Sequence, residues 1–284
     1  MGDLAEDTAL AELPAEPGEH RFRAELSRDW DLMGPNGGYL AAIALRAAAA
    51  HAGQALPVSL SCQFLARPRF GPVHVRTEVL RASRRATAVR VRMEQGADRP
   101  VLEALVWAAQ SGLAGPNADW TPAPRAPGPD GVPDLRTHLA AEGRGVPAWH
   151  RNVTLREISG RTGGADGEPR VRCWARFEPR RRFDDCWVDA GRSVILLDSL
   201  QWPAVMNAFP KRETVLFAPS IDLYVAFHGS GSDSEWLLVE TTGTAAHRGT
   251  FHGRGSVWTR EGRLLASAGQ QMLGTAVRER ADRL

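Results

Sequence analysis

The chain of 284 residues carries 35 Lys and Arg against 33 Asp and Glu, 43% hydrophobic residues and three cysteines. That length builds one large domain or two of about 100–150 residues with a full core, and a net charge of +2 gives no broad electrostatic reason to bind nucleic acid. Cys62, Cys173 and Cys186 are far apart, odd in number and without C-x-x-C spacing, which argues against a disulfide framework or a zinc knuckle and fits a reducing cytoplasm.

In chain order, residues 1–18 read as a mobile acidic leader. The first twenty residues hold six acids and no Lys or Arg, the reverse of a secretory or mitochondrial leader. The segment 19–112 follows. Within it, Gly34-Pro-Asn-Gly-Gly-Tyr39 opens an alanine-rich helical stretch to about Ala52. Tyr39 to Ala50 is the most apolar run, but it is interrupted by Arg46 and shorter than the ~18 residues of a membrane span. Strands are predicted at Val58–Ala66, Val73–Leu80, Thr87–Glu94 and Val101–Ala109. The middle two show clear period-2 alternation, as in Val73, Val75, Thr77 and Val79 against His74, Arg76 and Glu78. Seven of the nineteen prolines fall in 113–150, which reads as a linker because such a stretch sustains neither helix nor central strand.

The segment 151–275 repeats the layout, leaving a tail at 276–284. A strand at Val171–Phe177 precedes a helix from about Val188 to Asn207, and strands follow at Ser220–Phe227, Trp236–Thr242, Thr250–Trp258 and Leu264–Leu273. Residues 99–104 match 261–266 in hydrophobic pattern, and the same offset pairs Glu78 with Glu240, so the chain reads as a duplicated α+β unit.

Asp198 is the strongest chemical clue. Helical periodicity puts it on one face with Val194, Gln201, Trp202 and Val205. A carboxylate in an apolar stripe needs partners and has its pKa raised by burial; this suits a general base, or else a buried structural acid that hydrogen-bonds the linker or caps a neighbouring strand. Pro203 is expected to kink or end the helix just after it. Asn36, Gly37 and Gly38 precede the first helix, where unpaired N–H groups and glycines suit an oxyanion or a polarised carbonyl, or else only a tight turn. Ser220 begins a strand on its polar face. Gln270 and Gln271 lie late in the last strand, and only one of them can face a given pocket.

Other features are weaker. His247 and His252 face opposite sides and make a poor metal pair, so no metal site is expected. Asp184-Asp185 after Arg180-Arg181-Arg182 reads as a solvated loop, with the arginines as an alternative phosphate contact. No Gly-x-Ser-x-Gly, H-E-x-x-H or G-x-G-x-x-G motif occurs.

Together these residues resemble the acyl-CoA thioesterase II-like family, the double-hotdog thioesterases, over about residues 20–275. The resemblance rests on Trp30-x3-Gly34-Pro35-Asn36-Gly37-Gly38-Tyr39-Leu40-Ala41-Ala42, Asp198-Ser-Leu-Gln-Trp-Pro203, Pro219-Ser220-Ile221-Asp222-Leu223, Glu235-Trp236-Leu237-Leu238 and Gly262-Arg-Leu-Leu-Ala266-x3-Gln270. It implies two fused hotdog units, each a long helix wrapped by an antiparallel sheet. It also implies cofactor-free hydrolysis of acyl-CoA thioesters in fatty acid metabolism, in the cytoplasm. The family's catalytic Asp, Thr or Ser, and Gln fall on Asp198, Ser220 and Gln270, with Ser where the best-known bacterial members have Thr. Gly38 N–H, helped by Gly37, is the expected oxyanion donor, and association into a homo-oligomer is a family expectation.

Three rivals stay open. A hotdog dehydratase or hydratase is disfavoured because residues 38–50 contain neither acid nor His. A specialised-pathway enzyme could act on a carrier-protein thioester or a bound polyketide or aromatic acid, its nine tryptophans lining an unusual pocket. A hydrophobic-ligand binding protein could have kept the fold and lost turnover.

Overall fold

In a computed structural model, residues 1–15, 19–53, 55–96, 99–143, 145–159, 167–209 and 216–276 are described. The expected tail, 276–284, lies outside these residues except for Ala276.

The N-terminal half contains α1 (Leu4–Asp7), β1 (Ala11–Leu13), β2 (His20–Leu26), α2 (Gly37–Ala49), β3 (Ala55–Phe64), β4 (Gly71–Ala82), β5 (Ala86–Glu94) and β6 (Pro100–Gln110). After a connecting segment with the short helix α3 (Leu135–Ala141), the second half contains β7 (Val153–Ser159), β8 (Arg170–Phe177), α4 (Cys186–Asn207), β9 (Leu216–Phe217), β10 (Asp222–Phe227), β11 (Leu237–His247), β12 (Thr250–Thr259), β13 (Leu264–Leu273) and β14 (Thr275–Ala276).

Among the described residues, twelve strands form one antiparallel sheet in the order β1-β2-β4-β5-β6-β3-β10-β13-β12-β11-β8-β7, while β9 and β14 pair separately. Read outward from the β3–β10 junction, the two halves have the same order, so the duplication holds strand by strand. Glu78 in β4 and Glu240 in β11 occupy equivalent strands. This is the α+β double hotdog. The expected helices and strands are present, including β8 at the strand expected over Val171–Phe177, and there are additional strands before the helices: β1 and β2 in the first unit and β7 in the second.

The helices pack against each other and against the inner face of the sheet. Helix α2 starts at Asn36, whose Oδ1 accepts the Tyr39 N–H at 3.0 Å, and its alanines suit both helix propensity and close packing. Helix α4 starts at Asp185, whose carboxylate accepts the Trp187 and Val188 N–H groups. Alternate residues of β4 and β5, Val73, Val75, Val89 and Val91, enter the core. The opposite face of this half carries solvated ion pairs such as Arg90–Glu78 and Arg92–Glu103.

Four expectations need correction. The leader is folded over residues 4–13 into α1 and β1. Leu4 is buried, Trp30 Nε1 donates to Asp7 at 2.9 Å, Tyr39 Oη donates to the Asp7 carbonyl at 2.7 Å, and Gly2 N–H donates to Asn152. Its acids have basic partners elsewhere in the chain, with Arg180 bound to Asp3 at 3.0 Å and near Glu6 at 3.6 Å; residues 16–18 lie outside the described set. The Arg180–Arg182 run is therefore ion-paired, with Arg181 and Arg182 near Glu235, and Asp185 is a helix cap. The proline-rich segment is likewise more than a spacer. It lies on the outer face of the second unit, where Trp174 Nε1 donates to the Pro127 carbonyl and Trp258 Nε1 to the Thr121 carbonyl. Val132 is buried there with Trp174, Trp236, Leu238 and Trp258. These three tryptophans are buried together in a second core. Finally, α4 continues through Pro203 to Asn207.

Candidate active site

Asp198 lies in the middle of α4 where the N-terminus of α2 crosses it. The close approach depends on Gly38: a Cβ there would sit 2.6 Å from Ile195 Cα and 3.0 Å from the Val194 carbonyl oxygen. The glycine is thus required by helix packing, and it brings the Gly38 N–H to 2.7 Å from Asp198 Oδ2.

The other carboxylate oxygen meets the second unit's strands. Ser220, in a bridge to Met272 just before β10, donates from Oγ to Asp198 Oδ1 at 2.7 Å. Gln270 on β13 donates from Nε2 to the same oxygen at 2.9 Å and also to Ser220 Oγ. The structure therefore brings Asp198, Ser220 and Gln270 together, although they are 22 to 72 positions apart. It also resolves the choice between adjacent glutamines: Gln270 is 1% exposed and faces Asp198. Gln271 is on the opposite face, its backbone N–H bound to Asp222.

Burial pushes the Asp198 carboxyl above its usual 3.8, and the hydrogen bonds from Ser220, Gly38 and Gln270 oppose that shift. Cys62, facing the same region from β3, has its thiol pushed well above 9.0 by burial and by the charges of Asp198 and Asp222.

The glycine-rich turn differs in detail from expectation. Asn36 is not a free donor: its Oδ1 caps Tyr39 N–H and its Nδ2 donates to Ser199 Oγ at 2.8 Å, tying the start of α2 to α4. Gly38 N–H, the expected oxyanion donor, is engaged by Asp198. Gly37, partly exposed in the first turn of α2, keeps an N–H with no acceptor among the described residues. Its Cβ position is 2.9 Å from Asp198 Oδ2 and 3.3 Å from Phe64 Cζ. Ser199, next to Asp198, was not singled out by sequence; its partner is 163 positions away and no local pattern marks it.

A cleft of about 280 Å³ reaches Gln270 where β3, β10, β13 and β12 meet. Its lining is largely polar, with Ser61, Gln63, Asp222, Tyr224, His252 and Gln271. His252 hydrogen-bonds Thr244. Among the described residues, no helix is long and apolar enough to cross a membrane.

Two fused hotdog units, with an acid on one helix and the N-terminus of the other helix against it, define a double-hotdog protein. The model of the acyl-CoA thioesterase N-terminal domain matches residues 26–109, and that of the acyl-CoA thioesterase C-terminal domain matches residues 123–273. The chain belongs to this acyl-CoA thioesterase family. Among solved structures it is similar to a conserved hot dog-fold protein of unknown function from Alicyclobacillus acidocaldarius (21% identity, 97% of this chain and 98% of that one, TM-score 0.78). It is also similar to an acyl-CoA thioesterase II, TesB2, from Mycobacterium marinum (20% identity, 97% and 99%, TM-score 0.75). A third similar structure is a tesB protein from Mycobacterium avium subsp. paratuberculosis (22% identity, 96% and 98%, TM-score 0.73). Comparison with curated proteins gives no match.

Proposed function

We propose that this protein hydrolyses acyl-CoA thioesters to the free acid and CoA, with Asp198 as the base that activates water. The observation that carries the reading is the buried Asp198 carboxylate, approached by Ser220, Gln270 and the Gly38 amide. Membership of the acyl-CoA thioesterase family supports the reaction class.

Ionised Asp198 takes a proton from water while the water oxygen attacks the thioester carbonyl carbon. The carbonyl oxygen becomes an oxyanion, held by the Gly37 N–H in the first turn of α2, where the helix dipole favours negative charge. Collapse of the tetrahedral intermediate breaks the C–S bond, and the proton on Asp198 passes to the departing CoA sulfur. Ser220 and Gln270 position the carboxylate and the water. Ser220 is not the nucleophile in this scheme: its Oγ–H points at Asp198, and no histidine is bonded to it among the described residues.

The test is thiol release from a panel of acyl-CoAs, short, long and aromatic, with the acid product identified by mass. Release of CoA with the matching free acid is expected. Folded protein that releases no thiol from any of them refutes the reading; release from the corresponding carrier-protein thioesters would then place it in a specialised pathway.

A further inference from the structure

Two buried amide oxygens beside Asp198 have no hydrogen-bond donor among the described residues: Oε1 of Gln270 and Oε1 of Gln201. The chemistry of their neighbours fixes both amide orientations. Gln270 Nε2 donates to Asp198 Oδ1, and turning the amide over would set its oxygen against a carboxylate. Gln201 Nε2 donates to the Leu197 carbonyl at 2.9 Å, and turning it over would set oxygen against oxygen. Both unpaired groups are therefore acceptors, and an unpaired buried acceptor is costly.

The two side chains share one side of the sheet. Gln201 is three residues after Asp198 on α4 and fully buried. It fills the space left by Gly253 on β12, where a Cβ would lie 2.6 Å from Gln201 Oε1. Gly253 is the register partner of Gln270 across β12 and β13, and directly opposed residues present their side chains to the same face about 4.5–5.5 Å apart. With no side chain at 253, the Gln201 oxygen occupies the space directly across the strand pair from Gln270.

We propose that one ordered water donates a hydrogen bond to each of these two oxygens, and that Gln201 is through it a positioning residue for Gln270. A water molecule has the two O–H donors that this pair of acceptors lacks, and buried waters characteristically serve such groups. Held at its oxygen by the water, Gln270 has no freedom to swing its Nε2 away from Asp198 Oδ1 and Ser220 Oγ. The catalytic consequence rests on the hydrolase reading above; the water itself does not.

The test has two arms. A crystal structure of the wild-type protein, at a resolution that shows ordered solvent, is expected to place a water within hydrogen-bond distance of both Oε1 atoms. The second arm measures thiol release from the best acyl-CoA of the panel with Gln201→Met, Gln270→Met and the double variant. Gln201→Met, which keeps the side-chain volume and removes the acceptor, is expected to lower kcat about three- to tenfold, the worth of one hydrogen bond, with KM unchanged. Gln270→Met is expected to cost less in the Gln201→Met background than in wild type, because a side chain already adrift has less to lose. A wild-type crystal structure in which no water joins the two oxygens overturns the proposal, whether or not Gln201→Met folds. A kcat equal to wild type in a folded Gln201→Met variant also overturns it. If wild type releases no thiol, the hydrolase reading fails and the crystallographic arm still decides the water.

Discussion

Replacing Asp198 by Asn separates the chemistry of the carboxylate from its role in the core. The substitution keeps shape and removes the base, and loss of a general base costs typically 10²- to 10⁴-fold. In the site, the Asn oxygen can still accept from Ser220 and Gln270, while its NH2 group faces the Gly38 N–H that now donates to Oδ2. That donor-to-donor contact costs about 1–3 kcal/mol if Gly38 finds no other acceptor. An opposing effect comes from burial. Because the folded Asp198 pKa is raised, the folded state holds the proton more tightly than the unfolded chain. Stability therefore falls as pH rises from the unfolded value through the folded one, and above it the wild type carries the penalty of a buried charge. The neutral amide of the Asp198→Asn variant carries no such penalty. The expected outcome is a Tm close to wild type at neutral pH with kcat down at least ~100-fold on the best acyl-CoA, read by thiol release at saturating substrate. A well-folded Asp198→Asn protein that keeps more than about a tenth of wild-type kcat refutes Asp198 as the base.

Further outcomes follow from the same geometry. The acidic limb of kcat/KM is expected above 3.8, since Asp198 must be ionised to act and burial raises its pKa; Ser220→Ala and Gln270→Met each remove a donor that favours the charged form, so a pH–rate profile should show the limb moved to higher pH in both. Gly38→Ala places a methyl 2.6 Å from Ile195 Cα and should lose about 1–3 kcal/mol in chemical denaturation together with most activity, whereas Gly115→Ala, with no atom near its Cβ position, should be neutral. Arg192→Leu strands the buried Asp189 carboxylate, which also accepts from Ser230 Oγ and Gly231 N–H, and should cost about 3–5 kcal/mol in the same measurement.

The core-facing pattern was legible wherever the residues alternate cleanly, as in β4 and β5, and the long apolar stretches announced α2 and α4. Strand β2 has the same alternation, with Phe22, Ala24 and Leu26 inside and Arg23 and Glu25 outside, but its shortness and its place behind an acid-rich segment concealed it. The leader misled because composition counts its acids and says nothing of their partners: Asp3 and Asp7 are held by Arg180 and Trp30, both distant in sequence. Pro203 does not end the helix, contrary to one of the two expectations for it. Local propensity sets a cost of about 3 kcal/mol for an interior proline, and burial of Ala204, Val205 and Met206 just beyond it holds the helix together. At the site, residue types and motif positions singled out Asp198, Ser220 and Gln270. What the sequence could not display was which amide had its hydrogen bond already taken, because Gly38 and its acceptor are 160 positions apart.

The crossing of α2 and α4 also explains why a duplicated chain has this carboxylate on one side only. Gly38 lies against Ile195, and Gly191 lies against Ala42, with 3.4 Å between the Gly191 Cβ position and Ala42 Cβ. One sequence spacing relates 38 to 191 and 42 to 195, as a pseudo-twofold axis through the helix pair requires. The same spacing sets Leu45 opposite Asp198, three residues further on, and Asn36 opposite Asp189, two residues back. Leu45 is fully buried and apolar, so the equivalent position has no base to offer. Asp189 is bound to Arg192, Ser230 and the Gly231 amide, all serving to anchor the loop at 230–234. Gene-level duplication thus supplied two equivalent helix crossings. At one of them a glycine-opened helix start meets an acid, and at the other the equivalent polar position closes a buried ion pair. A single carboxylate avoids burying two such charges in one core, where each unpaired charge costs several kcal/mol, and it leaves the second crossing free to stabilise the fold on which the first depends.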